Sequence, residues 1–201
     1  MIEAIVLAAG KGERLGTIKP LVPIDGEPAL SRVIRLLRQS GLEQITVVLG
    51  YAAQTIQDRV NLSNCRVVVN HHYETGMAGS LILGIESLSP GTEGFLILHA
   101  DMPHTKQETI RAVIAQAEAG ARIVAPTYRG RRGFPVFLHR SCVEALLPSL
   151  VGDVGARRFI AQHREDLVVV EVADPGAIHD IDYPEDLPVE EEQHEPAVRE
   201  G

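Results

Sequence analysis

Six short runs of branched apolar residues recur along the chain: EAIVLAA, QITVVLG, CRVVVN, GFLILHAD, ARIVAPT and LVVVEV. None alternates polar with apolar residues, so each predicts a strand buried on both faces. Helical patterns stand between them. PALSRVIRLLRQSG places Pro28 in a first turn, apolar residues at helical spacing, and Gly41 as a stop. TKQETIRAVIAQAEAG opens on Thr105 with Glu108 three residues later, a capping box, and closes on Gly120. Strands alternating with helices predict an α/β fold, a mostly parallel twisted sheet with helices on both faces. GFPVFL follows ARIVAPT after only a short turn, which predicts one antiparallel element within that sheet.

A chain of 201 residues suits one domain, expected here to end near residue 188. The remainder, VEEEQHEPAVREG at 189–201, holds five glutamates against one arginine and almost no apolar side chain. It reads as a solvated, disordered tail. That tail carries half of the formal net charge of −8, and the acidic balance argues against a nucleic-acid partner. No apolar run approaches the ~20 residues that span a bilayer, so no membrane partner is expected. The N-terminus lacks a basic region ahead of an apolar stretch, and Cys65 and Cys142 stand alone. A reduced, cytoplasmic setting is the expectation.

Open parallel sheets bind ligands at the carboxyl ends of their strands, so the loops after the apolar runs carry the chemistry. The first is LAAGKGERLG, residues 7–16. A dinucleotide fingerprint would need a third glycine where Leu15 stands, and an acidic residue where the second strand ends in Gly50 and Tyr51. A Walker loop would need Gly-Lys-Ser or Gly-Lys-Thr in place of Gly10-Lys11-Gly12. What survives both exclusions is glycine-rich backbone followed by two cations, Arg14 and Lys19, on one long loop. Such a loop can cradle a triphosphate, its amides on the oxygens and its cations against the charge. It can also be a plain strand-to-helix turn with two surface cations.

LAAGKGERLG with KPLVPIDGEPAL resembles the signature of the nucleotidyltransferases related to molybdenum cofactor transferases. The similarity continues through GMAGSLILGI, LILHADMP, GRRGFPVF, LVGDVGARRFI and IHDIDYPEDL, covering residues 1 to about 187. The later motifs most resemble the cytidylyltransferase branch. The resemblance implies a Rossmann-like fold of the nucleotide-diphospho-sugar transferase type. It implies that Leu7, Ala8, Ala9, Gly10 and Gly12 line a nucleotide and that Arg14 and Lys19 contact its phosphates. Asn70, Gly76, Met77 and Ser80 would lie near base and ribose. Asp101 would hold a magnesium ion, with Asp182 at a second metal position. The chain departs from the family's pattern at Ala100, commonly glycine, at Phe134, often histidine, and at Ile18, where sugar nucleotidyltransferases carry proline.

The residues can be weighed by physics alone. Asp101 follows the most continuously apolar strand, where a carboxylate can share magnesium with phosphate. The competing use, capping the next helix, is already filled by Thr105 on the sequence pattern. Asp180 and Asp182 lie two apart and point the same way in extended chain, towards one ion or, for Asp182, towards capping PEDL. His71, His72, His99 and His104 lack the tight spacing of a zinc site. Asp153 reads as the cap of a helix bearing Arg157 and Arg158, which suit either an anionic acceptor or a solvated face. The methyl group of Ala9 is expected beside the base, where the guanylyl branch has glycine.

The function these expectations favour is a cytidylyltransferase that moves CMP from CTP onto a phosphorylated acceptor of the molybdopterin type. The alternatives are a guanylyltransferase for the same cofactor, a sugar- or alcohol-phosphate nucleotidyltransferase, and a nucleotide- or cofactor-binding chaperone without turnover.

Overall fold

The computed structural model describes residues 1–186, so the expected tail lies outside the described residues. In chain order the strands are β1 (Ile2–Ala8), β2 (Pro23–Ile24), β3 (Glu27–Pro28), β4 (Ile45–Leu49) and β5 (Arg66–Val69). They continue as β6 (Gly94–His99), β7 (Ile123–Tyr128), β8 (Arg131–Arg132), β9 (Val136–His139) and β10 (Leu167–Glu171). The helices are α1 (Ala29–Gln39), α2 (Ala53–Arg59), α3 (Met77–Glu86), α4 (Gln107–Glu118), α5 (Val143–Leu146) and α6 (Arg157–Gln162).

The main sheet runs β10-β7-β9-β6-β1-β4-β5, with the short β8 paired to β7 and a separate small hairpin of β2 and β3. β1 pairs in parallel with both β4 and β6. β9 is antiparallel to β6 and β7, the interruption that GFPVFL predicts.

Every residue of β1 after the first is buried, and successive side chains serve opposite faces. Ala4, Val6 and Ala8 join one core with Leu30, Val33 and Leu37 of α1, Ile56 of α2 and Ile110 of α4. Ile5 and Leu7 join a second core with Leu81 and Ile85 of α3, Leu146 of α5 and Phe159 of α6. A run without polar alternation is what such two-sided burial requires.

Helix boundaries depart from the sequence patterns at their starts. Pro28 is the cap residue of α1 and ends β3, one position before the first turn. α4 begins at Gln107, and Thr105 gives it no side-chain cap; the Thr105 hydroxyl donates to the Met102 carbonyl at 3.1 Å. The capping carboxylate comes from Asp174, which accepts from Lys106 N–H at 2.8 Å and the Thr109 hydroxyl at 2.6 Å. A carboxylate is the stronger partner for a helix N-terminus, and the fold brings one there from the turn after β10. The predicted stops hold: Gly41 and Gly120 follow α1 and α4 with φ of +95° and +96°.

The chain passes from β1 to β4 and β5 on one side and returns to β6 on the other. The loops leaving β1 and β6 therefore diverge and open a crevice at the carboxyl ends of the strands.

Candidate active site

A cleft of about 620 Å³ fills this crevice. Leu7, Ala8, Ala9, Gly10, Gly12, Arg14 and Lys19 line one wall, Gly76, Met77 and Ser80 another, and Asp101 and Asp182 meet them. Of the residues that the resemblance assigns to nucleotide or metal, the cleft brings together all but Asn70, which is absent from the lining. Asn70 is 3% exposed, donates to the Ser80 hydroxyl at 3.0 Å and accepts from His72 N–H at 2.9 Å. Its amide shapes the turn behind the wall, and only Ser80 of that pair reaches the cleft.

The glycine loop is held from below. Leu15, which breaks the dinucleotide fingerprint, is buried with Val22, Ile24, Ala29 and Ile181. A glycine at position 15 would have no side chain to lock the loop onto the segment that carries Asp180 and Asp182. Gly12 adopts φ +62°, and a Cβ there would stand 2.8 Å from the Thr17 carbonyl and 3.0 Å from the Lys19 stem. Only glycine lets the Lys19 side chain pass beneath the loop into the cleft.

Lys19 leaves a 3-10 turn at Lys19–Leu21 with 15% of its side chain exposed. Its ammonium donates to Asp101 Oδ2 at 3.0 Å and to Asp182 Oδ1. Burial alone would lower its pKa; the charges and hydrogen bonds of Asp101 and Asp182 outweigh that and raise it above the ordinary lysine value. Arg14 reaches Asp182 Oδ2 at 3.4 Å from an exposed position.

The carboxylates converge from two directions. Asp101 stands at the mouth of β6, and its carbonyl accepts from Ile181 N–H at 2.9 Å. Ile181 is 1% exposed, while Asp180 and Asp182 on either side of it are exposed and half-buried, respectively. Asp101, Asp180 and Asp182 present oxygens within 4.8 Å of one another. Among the described residues no histidine joins this or any other group of three potential ligands. The Asp182 carboxylate meets Lys19 and Arg14, while Asp186 accepts from Asp182 N–H at 2.9 Å and Tyr183 N–H at 2.8 Å, just ahead of the 3-10 turn at Pro184–Asp186.

The opposite rim is built from a distant loop. Asp153 is not the cap of α6: its carboxylate accepts from Met77 N–H, the first residue of α3, at 3.1 Å. Gly76, at φ +109°, makes room, since a Cβ there would stand 2.6 Å from the Gly152 carbonyl carbon. Arg157 and Arg158 are exposed and do not line the cleft.

Among the lining residues to which the sequence assigns no place in the cleft are Tyr73, whose ring meets Tyr51 edge-on at 6.2 Å, Asp153 and His99. His99 stacks edge-on with Phe134 at 4.5 Å, and burial lowers its pKa although Asp101 and Asp180 pull the other way. His99 is the last residue of β6; the sequence weighed it with the other histidines for zinc, whose spacing it lacks.

A cleft of this kind at the head of a mixed α/β sheet can be compared with known proteins. The pattern of the MobA-like NTP transferase domain matches residues 4–167. The chain belongs to that family.

Its fold is the nucleotide-diphospho-sugar transferase fold of nucleotidyltransferases. A crystal structure of Rv0371c from Mycobacterium tuberculosis superposes with a TM-score of 0.80 at 28% identity, covering 92% of this chain and 94% of that one. One further structure of that protein is a complex with manganese, with a TM-score of 0.74 at 26% identity, covering 85% of this chain and 88% of that one. Among curated relatives, the molybdenum cofactor cytidylyltransferase of Escherichia coli is 26% identical over 195 residues, 96% of this chain and 97% of its own. Nicotine blue oxidoreductase of Paenarthrobacter nicotinovorans is 28% identical over 194 residues, 92% of this chain and 94% of its own. No helix among the described residues of this MobA-like protein is long and apolar enough to cross a membrane.

Proposed function

We propose that this MobA-like protein transfers a nucleoside monophosphate, CMP from CTP first, to the phosphate of a molybdopterin-type acceptor and releases pyrophosphate. An acceptor phosphate oxygen attacks the α-phosphorus in line. A new phosphorus–oxygen bond forms as the bond to the β-phosphate breaks, and pyrophosphate departs with the bonding electrons. No protein nucleophile is needed, because a phosphate oxygen is ionised near neutral pH. The chain's contribution is position and charge. The glycine backbone at 10–12 holds phosphate oxygens, and Arg14 and Lys19 offset the charge that grows on the leaving group.

The carboxylate cluster suits magnesium: its donors are all oxygen, they converge, and they have already drawn in an ammonium group. Asp101 and Asp182 would hold the ion, with Asp180 beside them. When bound it would neutralise phosphate charge and help align the α-phosphorus.

The observation that carries this reading is the meeting of Lys19 with Asp101 and Asp182 in the cleft lined by the glycine loop. The test is pyrophosphate release with CTP, GTP, ATP and UTP, each with molybdopterin-type and sugar-phosphate acceptors. CTP with the pterin acceptor should give the largest kcat/KM. Release with a sugar phosphate alone would move the substrate class, and tight nucleotide binding without release would make the protein a carrier. The likeness to nicotine blue oxidoreductase supports a second reading, an oxidoreductase acting on nicotine blue or a similar compound. Redox conversion of nicotine blue with no pyrophosphate release would favour it.

A further inference from the structure

The cleft holds its cations against its own carboxylates. Lys19 donates to Asp101 and Asp182 together, and Arg14 leans on Asp182 as well. Both groups that the transfer assigns to phosphate are therefore engaged by the carboxylates assigned to a metal. Three carboxylates within 4.8 Å of one another repel, and a half-buried ammonium between two of them relieves that repulsion. Asp180, the exposed member, makes no ion pair among the described residues. The packing gives Lys19 this place: the missing side chain of Gly12 clears its stem, and Leu15 with Ile181 ties its loop to Asp180 and Asp182.

We propose that Lys19 is the resident cation of this cluster, and that it and a divalent ion occupy Asp101 and Asp182 in turn. The inference rests on the transferase reading for its purpose, though not for its test. In the free protein Lys19 holds the carboxylates together and keeps their affinity for a bare divalent ion low. When a metal–triphosphate complex enters, the partners exchange. The carboxylates take the metal, and the freed ammonium, with Arg14, takes the phosphates. Each charge leaves one opposite charge for another, so the exchange avoids exposing an unpaired buried ion. Metal and nucleotide then bind together better than either binds alone, a coupling that must be reciprocal.

Manganese binding without nucleotide, read from the electron paramagnetic resonance signal of the free ion, tests the exchange. Lys19→Met keeps the length of the stem and removes the charge. It should bind manganese about tenfold or more tightly than the native protein, the scale on which one close charge shifts an ionic equilibrium. Lys19→Arg should stay near the native value. Equal affinities of the native protein and a folded Lys19→Met would overturn the proposal. A second measurement needs no variant: the Lys19 ammonium resonance of the native protein should move as magnesium saturates the site. A resonance unmoved at saturation, with saturation established by calorimetry, would also overturn it. Tighter manganese binding by Lys19→Met in a protein that releases no pyrophosphate from any nucleotide would defeat the transferase reading and leave the exchange standing. Normal turnover with equal affinities would do the reverse.

Discussion

Carboxylates at the two ends of the central strands are satisfied in different ways. At the amino end of β1, Glu3 is 1% exposed. It accepts from Ser89 N–H at 2.9 Å and the Thr92 hydroxyl, with Arg66 at 3.7 Å. Burial works to raise its pKa, but the hydrogen bonds from Thr92 and Ser89 outweigh that and hold it below the ordinary glutamate range. At the carboxyl end, Asp101 and Asp182 keep 19% and 26% of their side chains exposed and are paired with flexible cations from the loop after β1. The amino end is closed first by a backbone N–H and a short hydroxyl side chain that cannot leave, with the Arg66 guanidinium at longer range. The carboxyl end is closed by a lysine and an arginine, which can leave. A fold makes a carboxylate structural by giving it immovable donors, and leaves it available for chemistry by giving it movable ones.

Substitutions at each end sharpen or break that contrast. Asp101→Asn should have the largest effect: most metal-dependent turnover lost with the fold intact. Near-normal rates at saturating magnesium in a folded variant would remove Asp101 from the metal position. Lys19→Ala should lower kcat by about 10²–10³, the scale of removing one preorganised electrostatic donor. Unchanged rate and nucleotide affinity would return Lys19 to a purely local role and erase the distinction between the two ends.

Glu3→Gln should show the opposite profile, costing about 1–3 kcal/mol of stability in denaturant titrations with kcat unaltered. The linkage has a definite sign. A carboxylate with a depressed folded pKa contributes stability above its unfolded value, near 4.5, and loses it as pH falls through the folded one. The native protein should therefore lose stability below about pH 4.5 more steeply than Glu3→Gln. Parallel acid profiles would mean that Glu3 is held no differently from a surface carboxylate.

Ala9→Gly is the smallest test. Its methyl group is turned towards Gly50, where a Cβ would approach it to 2.8 Å, while Ala9 itself lines the cleft. The substitution would act by loosening the loop against the end of β4 more than by deleting a wall atom. The native protein should favour CTP over GTP in kcat/KM, and the loosened loop of Ala9→Gly should narrow that ratio by no more than the ~1–3 kcal/mol of a methyl-sized contact. Equal use of both nucleotides by the native protein would sink the cytidylyl assignment alone.

Much of the site was legible because its parts are local. A glycine-rich loop after a buried strand, two cations on it, and a carboxylate at the mouth of another strand are each short-range patterns. The pair Asp180 and Asp182 was legible as a direction, since period two places both on one side of an extended chain. Four features were not legible. Thr105 with Glu108 looked like a capping box, yet α4 takes its cap from Asp174. Asp153 looked like the cap of its own helix and serves α3 instead. Asn70 looked like a cleft residue and is enclosed by Ser80 and His72. Tyr73 offered no pattern and lines the cleft.

By itself, then, the sequence determined the alternation of buried strands and helices, the ends of the helices at Gly41 and Gly120, and the inventory of groups that can meet a phosphate. These follow from apolar periodicity and from backbone conformations that belong to single residues. Only the tertiary structure decided which donor meets which acceptor: Asp174 on α4, Asp153 on α3, Lys19 between Asp101 and Asp182. The physical reason is that a carboxylate will satisfy any N–H or ammonium brought within 3 Å or so, whatever the distance along the chain. Local spacing counts only the nearest partners, whereas packing of Leu15 against Ile181 brings residues 19, 101 and 182 to one point.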